Sequence, residues 1–107
     1  MREVEIRIRK LAGYSDSEYG TPMVRRAFDV KDGPLSDLEQ DGGEREATSH
    51  LFAGAVGLFK NPSSHREVDF DDPMLASEVI LFADLLMRML DGIEKRMKRP
   101  KRAKRSR

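Results

Sequence analysis

A long apolar stripe in the C-terminal half constrains the fold of this chain more than any other feature. Asp72 followed by Pro73 predicts a helix start, because aspartate is a preferred N-cap residue and proline is favoured in the first helical turn. Apolar residues then recur at helical spacing for more than five turns. They are Leu75, Val79, Phe82, Ala83, Leu86, Leu90 and Ile93. The stripe predicts the core helix of the fold.

The first segment is predicted to be helical as well. Val4, Ile8 and Leu11 fit one face of a helix, although the alternation of Val4, Ile6 and Ile8 with charged residues also permits a strand. The Glu, Arg and Lys residues between them are good helix formers, and Gly13 is a natural stop. We therefore expect a helix of about three turns that ends just beyond Leu11.

Two more helices are predicted between these segments. Thr21 is the expected N-cap of a short helix over residues 22–28, and the glycine-rich segment 29–43 is an expected surface loop. A helix over residues 44–60 contains Gly54 and Gly57 in its interior. Because each interior glycine costs about 1 kcal/mol relative to alanine, the pair suggests close approach of a neighbouring helix or subunit.

Composition restricts the class of protein. A chain of 107 residues is one domain, and 38% hydrophobic residues is lean enough that a partner subunit would help to bury the core. There is no cysteine, which excludes disulfides and thiolate metal sites. The sequence has no apolar run of about 20 residues and no signal-peptide pattern, so we expect a cytoplasmic protein without membrane contact.

The net charge of +1 conceals an asymmetry between body and tail. Residues 95–107 carry nine of the 20 Lys and Arg residues and no acid, so residues 1–94 have a net charge of −8. We expect the tail to be a disordered basic segment. Its predicted nucleic-acid contacts are Lys98, Arg99, Lys101, Arg102, Lys104 and Arg105. A terminus that only increases solubility would have the same composition.

The densest polar chemistry lies in residues 60–65, which read KNPSSH. His65, with Lys60 and Asn61 nearby, is a candidate general acid and base, because an imidazole takes and gives a proton near neutral pH. The alternative is a surface turn that His65 merely caps. His50 is 15 residues away from His65 with no ligand pattern between them, so we expect no metal site.

Blocks along the chain resemble one family. They are residues 9–13 (RKLAG), 25–28 (RRAF), 51–55 (LFAGA), 60–65 (KNPSSH), the Asp-Asp-Pro start at 71–73 and residues 85–91 (LLMRMLD). In this order they are similar to the Ymh-type family of conserved hypothetical prokaryotic proteins. That family is similar in turn to the HEPN superfamily of all-α bundles, which typically dimerise and often act as metal-independent ribonucleases in phage defence and toxin–antitoxin systems.

The HEPN motif has an arginine, usually followed by a polar residue, and a histidine four to six positions after the arginine. The resemblance places Lys60 at the arginine, Asn61 at the polar position and His65 at the histidine. It implies that His65 assists attack of a ribose 2′-hydroxyl on the adjacent phosphate, that Lys60 stabilises the developing charge and that Asn61 positions the substrate. Lysine is a departure from the motif, because its ammonium group is a point charge, whereas the planar guanidinium of arginine can donate two hydrogen bonds to one phosphate.

The resemblance thus implies an all-α fold, a small HEPN-like helical bundle over residues 1–94. It further implies a homodimer, no cofactor, RNA as substrate and an antitoxin or defence-system protein as partner. The first helix is short for such a bundle, which suggests truncation. Two alternatives stay open: a catalytically inactive HEPN-like binding or scaffold module, and a DNA-binding accessory protein that acts through its tail.

Overall fold

The computed structural model of the chain describes residues 1–59 and 72–99. These residues form an all-α fold of four helices, as predicted. They are α1 (Arg2–Ala12), α2 (Gly20–Ala27), α3 (Gly42–Phe59) and α4 (Pro73–Lys98). No helix among the described residues is both long and apolar enough to cross a membrane.

Helix α1 ends as the sequence predicts. Gly13 adopts the left-handed conformation with φ 77°, which glycine reaches without a steric penalty. The Gly13 N–H donates to the Lys10 carbonyl and the Tyr14 N–H donates to the Arg9 carbonyl, each at 3.1 Å. These bonds satisfy carbonyl groups that the helix end leaves without partners.

Helix α2 begins two residues earlier than predicted, and the assignment of Thr21 as its N-cap is wrong. The N-cap position is Tyr19, whose side chain makes no capping hydrogen bond. Instead, the carboxylate of Glu5 in α1 accepts a hydrogen bond from the Gly20 N–H at 2.6 Å. The cap is therefore supplied by a distant residue that is itself buried.

Helix α3 begins at Gly42, two residues before the predicted start, so the predicted loop is shorter than expected. The helix is described to Phe59, and its predicted last residue, Lys60, lies outside the described part of the chain. The expected close approach occurs at Gly57, where an added Cβ would lie 2.8 Å from the Thr21 hydroxyl oxygen of α2. The neighbour is a side chain rather than a backbone. At Gly54 an added Cβ would meet nothing within 4 Å, so no helix of the described chain makes the expected approach there, and approach of a second subunit stays a prediction.

Helix α4 begins at Pro73 as predicted. The Asp72 carboxylate accepts hydrogen bonds from the backbone N–H groups of Met74 (3.0 Å) and Leu75 (3.5 Å). The helix continues to Lys98, so the first four residues of the predicted basic tail are helical. In this last turn the Arg96 guanidinium donates to the Leu35 carbonyl at 2.8 Å, which holds the 28–41 loop against α4.

The core lies between the four helices and includes two residues of the 28–41 loop, Phe28 and Leu35. Its buried apolar residues are Val4, Ile8, Met23, Val24, Ala27, Phe28, Leu35, Phe52, Ala53, Ala55, Val56, Ala83, Leu86, Leu90 and Ile93. At its centre the rings of Phe28 and Phe52 stack with centroids 4.7 Å apart. At the edge, Arg7 of α1 donates to Asp91 (2.8 Å) and Glu94 (2.7 Å) of α4, which fixes the first helix on the last.

Candidate functional site

The predicted catalytic residues Lys60, Asn61 and His65 all lie outside the described residues. The two helices that border them are described. The ring of Phe59, the last residue of α3, contacts the ring of Phe82 in α4 edge to face, with centroids 6.1 Å apart. The helix that precedes the motif therefore touches the helix that follows it at this pair of rings.

Apolar side chains remain exposed on both of these helices. In the N-terminal half of α4, Met74, Leu81 and Leu85 have exposures of 72%, 67% and 52%, respectively. Their spacing of seven and four residues places them on one side of the helix, which we call the α4 stripe. In α3, Leu51 and Leu58 are seven residues apart and are also exposed. Both helices thus carry exposed apolar surface.

The second histidine of the chain lies on an exposed part of α3. The His50 Nε2 is 3.9 Å from a carboxylate oxygen of Glu46, one helical turn earlier, and both side chains are more than half exposed. Across residues 1–59 and 72–99 there is no group of three or more His, Asp or Glu side chains that could hold a metal ion.

Only the first two predicted nucleic-acid contacts of the tail are described. The Lys98 Nζ lies 3.2 Å from a Glu94 carboxylate oxygen but remains largely exposed, and Arg99 is exposed at the end of α4. Lys101, Arg102, Lys104 and Arg105 lie outside the described residues.

The two N-terminal blocks of the family resemblance have structural roles. Arg9 donates to the Glu18 carbonyl at 3.4 Å, and Phe28 is in the core. The Arg26 guanidinium lies 4.4 Å from the centre of the Tyr14 ring and 2.9 Å from the Glu18 carboxylate. The hydrogen bond to Glu18 raises the pKa of Arg26. These side chains fix the connection between α1 and α2.

Sequence reasoning missed a pocket between the 28–41 loop, the start of α3 and the end of α4. It has a volume of about 250 Å³, and its polar wall includes Ser36, Arg45 and Arg96. The one sequence signal that points to it is Gly92, a glycine in the interior of α4. This pocket and the surfaces beside the motif are candidate functional features of the described chain.

The fold and these features define a small all-α domain. A family model described as a protein of unknown function (Hypoth_ymh) matches residues 1–90. The chain belongs to this family, as its sequence blocks predict. No match is found among curated proteins or among solved structures.

Proposed function

We propose that this protein is a metal-independent endoribonuclease of the HEPN type that works as a homodimer. The observation that carries the proposal is the segment 60–65, in which a cation, an amide and an imidazole stand at HEPN spacing between α3 and α4. The all-α fold is consistent with such a bundle. A role in phage defence or in a toxin–antitoxin system, with a partner protein from that system, belongs to the same proposal.

In the proposed reaction, the His65 imidazole removes the proton from a ribose 2′-hydroxyl. The 2′-oxygen bonds to the adjacent phosphorus, the bond from phosphorus to the 5′-oxygen breaks, and that oxygen takes a proton from the imidazolium of the other subunit's motif. The products are a 2′,3′-cyclic phosphate and a 5′-hydroxyl. Lys60 stabilises the additional negative charge on the phosphate, and Asn61 positions the substrate.

Exposed apolar surface supports the dimer. The α4 stripe, together with Leu51 and Leu58 of α3, leaves large apolar side chains in water on the helices that border the motif. Complete burial of a fully exposed side chain of this size gains about 1.5–3 kcal/mol, and each of these side chains would gain the part that corresponds to its exposed fraction. A second copy of the chain that covers these helices would bring two copies of the motif close together.

The basic tail supports an RNA substrate. Nine cations in residues 95–107 would contact phosphates without regard to sequence, and they would offset the net charge of −8 on residues 1–94. Affinity that depends on the tail should fall steeply as salt concentration rises.

A second candidate function rests on Lys60. Because lysine lacks the bidentate geometry that arginine offers to a phosphate, a chain with lysine here can keep the fold and lose the reaction. This chain would then be a catalytically inactive HEPN-like binding or scaffold module.

The test is cleavage of a labelled mixed-sequence RNA in EDTA by the wild-type protein, His65→Ala and His50→Ala. His50 is the matched control, since it is the other histidine of the chain and is exposed on α3. We expect wild type and His50→Ala to leave 2′,3′-cyclic phosphate ends and His65→Ala to leave the RNA intact. Cleavage by His65→Ala at the wild-type rate would refute the proposed role of His65.

The same assay separates the two candidates. If the folded wild type does not cut and Lys60→Arg does, the inactive module is the better account. If neither cuts, the nuclease proposal is wrong for this chain.

A further inference from the structure

We propose that the pocket between the 28–41 loop and helices α3 and α4 binds a small apolar monocarboxylate. This inference is independent of the proposed nuclease. The pocket is lined by Arg45 at the start of α3, whereas segment 60–65 follows the other end of that helix. Arg45 and Phe59 are 14 residues apart in α3, which corresponds to about 21 Å along the helix axis.

The pocket combines an apolar floor with a few polar groups. Phe28, Leu35, Met89 and Ile93 supply the apolar surface, and the polar side chains of the lining are Ser36, Asp37, Gln40, Arg45, Thr48 and Arg96. Ligand pockets commonly have this composition, in which apolar side chains bury the body of the ligand and a few polar groups fix its orientation. The volume of about 250 Å³ is slightly below the usual range of about 300–1,000 Å³, which restricts the ligand to a small molecule.

Two buried polar atoms in this wall lack partners. Within the described chain, the Ser36 hydroxyl oxygen and the Arg45 Nε are shielded from solvent and make no hydrogen bond. A buried donor without an acceptor is unfavourable, so native proteins seldom keep one without a reason. A carboxylate in the pocket would supply the missing acceptor once the two side chains turn toward it, and arginine is well suited to this role because its donors match the two carboxylate oxygens.

The charges favour a monoanion. The other arginine of the pocket, Arg96, is already bound to the Leu35 carbonyl and lies 3.6 Å from the Asp37 carboxylate. The Arg45 guanidinium has no ion-pair partner among the described residues. One uncompensated cation beside an apolar floor fits a carboxylate with an apolar body better than a phosphate dianion.

Gly92 is a separate indication that the pocket binds a ligand. It lies in the interior of α4, where glycine weakens a helix, yet an added Cβ would meet nothing within 4 Å in the described structure. No packing contact therefore explains the glycine. Because Gly92 lines the pocket, we expect a large side chain at this position to narrow it.

The test uses benzoate as the probe and benzamide as its neutral isostere, with the full chain and its Arg45→Gln, Gly92→Leu and Arg88→Gln variants. Arg88 is the matched control because it is an exposed arginine on α4 outside the pocket. Binding is measured by calorimetry and by the NMR shift of the Arg45 Nε–H. Circular dichroism verifies that each variant is folded.

We expect saturable binding of benzoate by wild type and Arg88→Gln, with a shift of the Arg45 signal. Arg45→Gln should bind roughly 10- to 150-fold more weakly, which is the range for loss of a hydrogen bond to a charged group. Gly92→Leu should not bind. Because cleavage of RNA is not a readout here, failure of the nuclease proposal would leave this result unchanged.

Three results would overturn the proposal. One is the absence of saturable benzoate binding with a Kd below about 10 mM. Another is equal affinity for benzamide, which would exclude recognition of the charge. The last is unchanged binding in both folded pocket variants, which would place the probe elsewhere on the protein.

Discussion

Replacement of Gly57 by alanine should destabilise the protein relative to the same replacement at Gly54. Both glycines lie in the interior of α3, where alanine favours the helix by about 1 kcal/mol. At Gly54 the added methyl meets nothing within 4 Å, so Gly54→Ala should realise this gain. At Gly57 it would lie 2.8 Å from the Thr21 hydroxyl oxygen, closer than real Cβ contacts allow. Either the Thr21 side chain must then change its rotamer or helix α2 must shift.

The cost of such overpacking is about 1–3 kcal/mol. Gly57→Ala should therefore lower the free energy of unfolding by between zero and about 2 kcal/mol. The free energies of unfolding of the two variants should differ by about 1–3 kcal/mol. In a domain of this size that difference corresponds to at least about 4 °C in Tm. Urea unfolding followed by circular dichroism, at one protein concentration, gives the free energies of unfolding.

A double-mutant cycle makes this prediction specific. Thr21→Ala removes the atom that the new methyl would meet, so the Gly57→Ala substitution should become more favourable in that background. The same Thr21 change should leave the effect of Gly54→Ala unaltered. Equal stabilisation by both glycine substitutions, or no coupling between Thr21 and Gly57, would refute the close approach of α2 and α3.

Three further predictions concern α4. Asp72→Ala should lower the free energy of unfolding by about 1 kcal/mol because the cap is lost, and Asp72→Asn by less, as measured in urea. The hydrogen bond from Arg7 lowers the pKa of Glu94 below its ordinary value of 4.5. The stabilisation by this ion pair is therefore fully present above pH 4.5 and is lost as the pH falls through the lower pKa that Glu94 has in the folded protein. In Arg7→Met, the free energy of unfolding should therefore decrease less steeply as the pH falls below 4.5. Leu81→Lys should convert a dimer to monomers in light scattering if the α4 stripe is the proposed interface, and an unchanged mass would contradict that assignment.

Local patterns were sufficient to predict the helices. The start of α4 at Pro73 depends on a cap within three residues, and the stop of α1 depends on one glycine at position 13. Apolar spacing in the same helices gave much of the core, because a face that repeats every 3.6 residues must turn toward other apolar surface. The family followed from the order of the sequence blocks.

Contacts between distant residues could not be predicted in this way. The cap of α2 comes from Glu5, which is 15 residues before Gly20, and the Arg96 hydrogen bond to Leu35 joins residues 61 apart. Residues of the tail were expected to be free of the fold. Arg96 instead binds the loop, because α4 continues to Lys98 and brings its last turn beside Leu35.

The pocket also depends on contacts between distant residues, which local patterns do not predict. Ser36, Arg45 and Gly92 have no common motif, and each looks ordinary in its own segment. Only the packing of the loop and the ends of α3 and α4 brings them to one wall. The sequence by itself determined the helix class, the end of α1, the start of α4, the charge asymmetry and the family, since these depend on neighbouring residues or on composition. The tertiary structure alone decided which polar atoms are buried without partners and which apolar side chains remain in water, because both depend on how the helices pack.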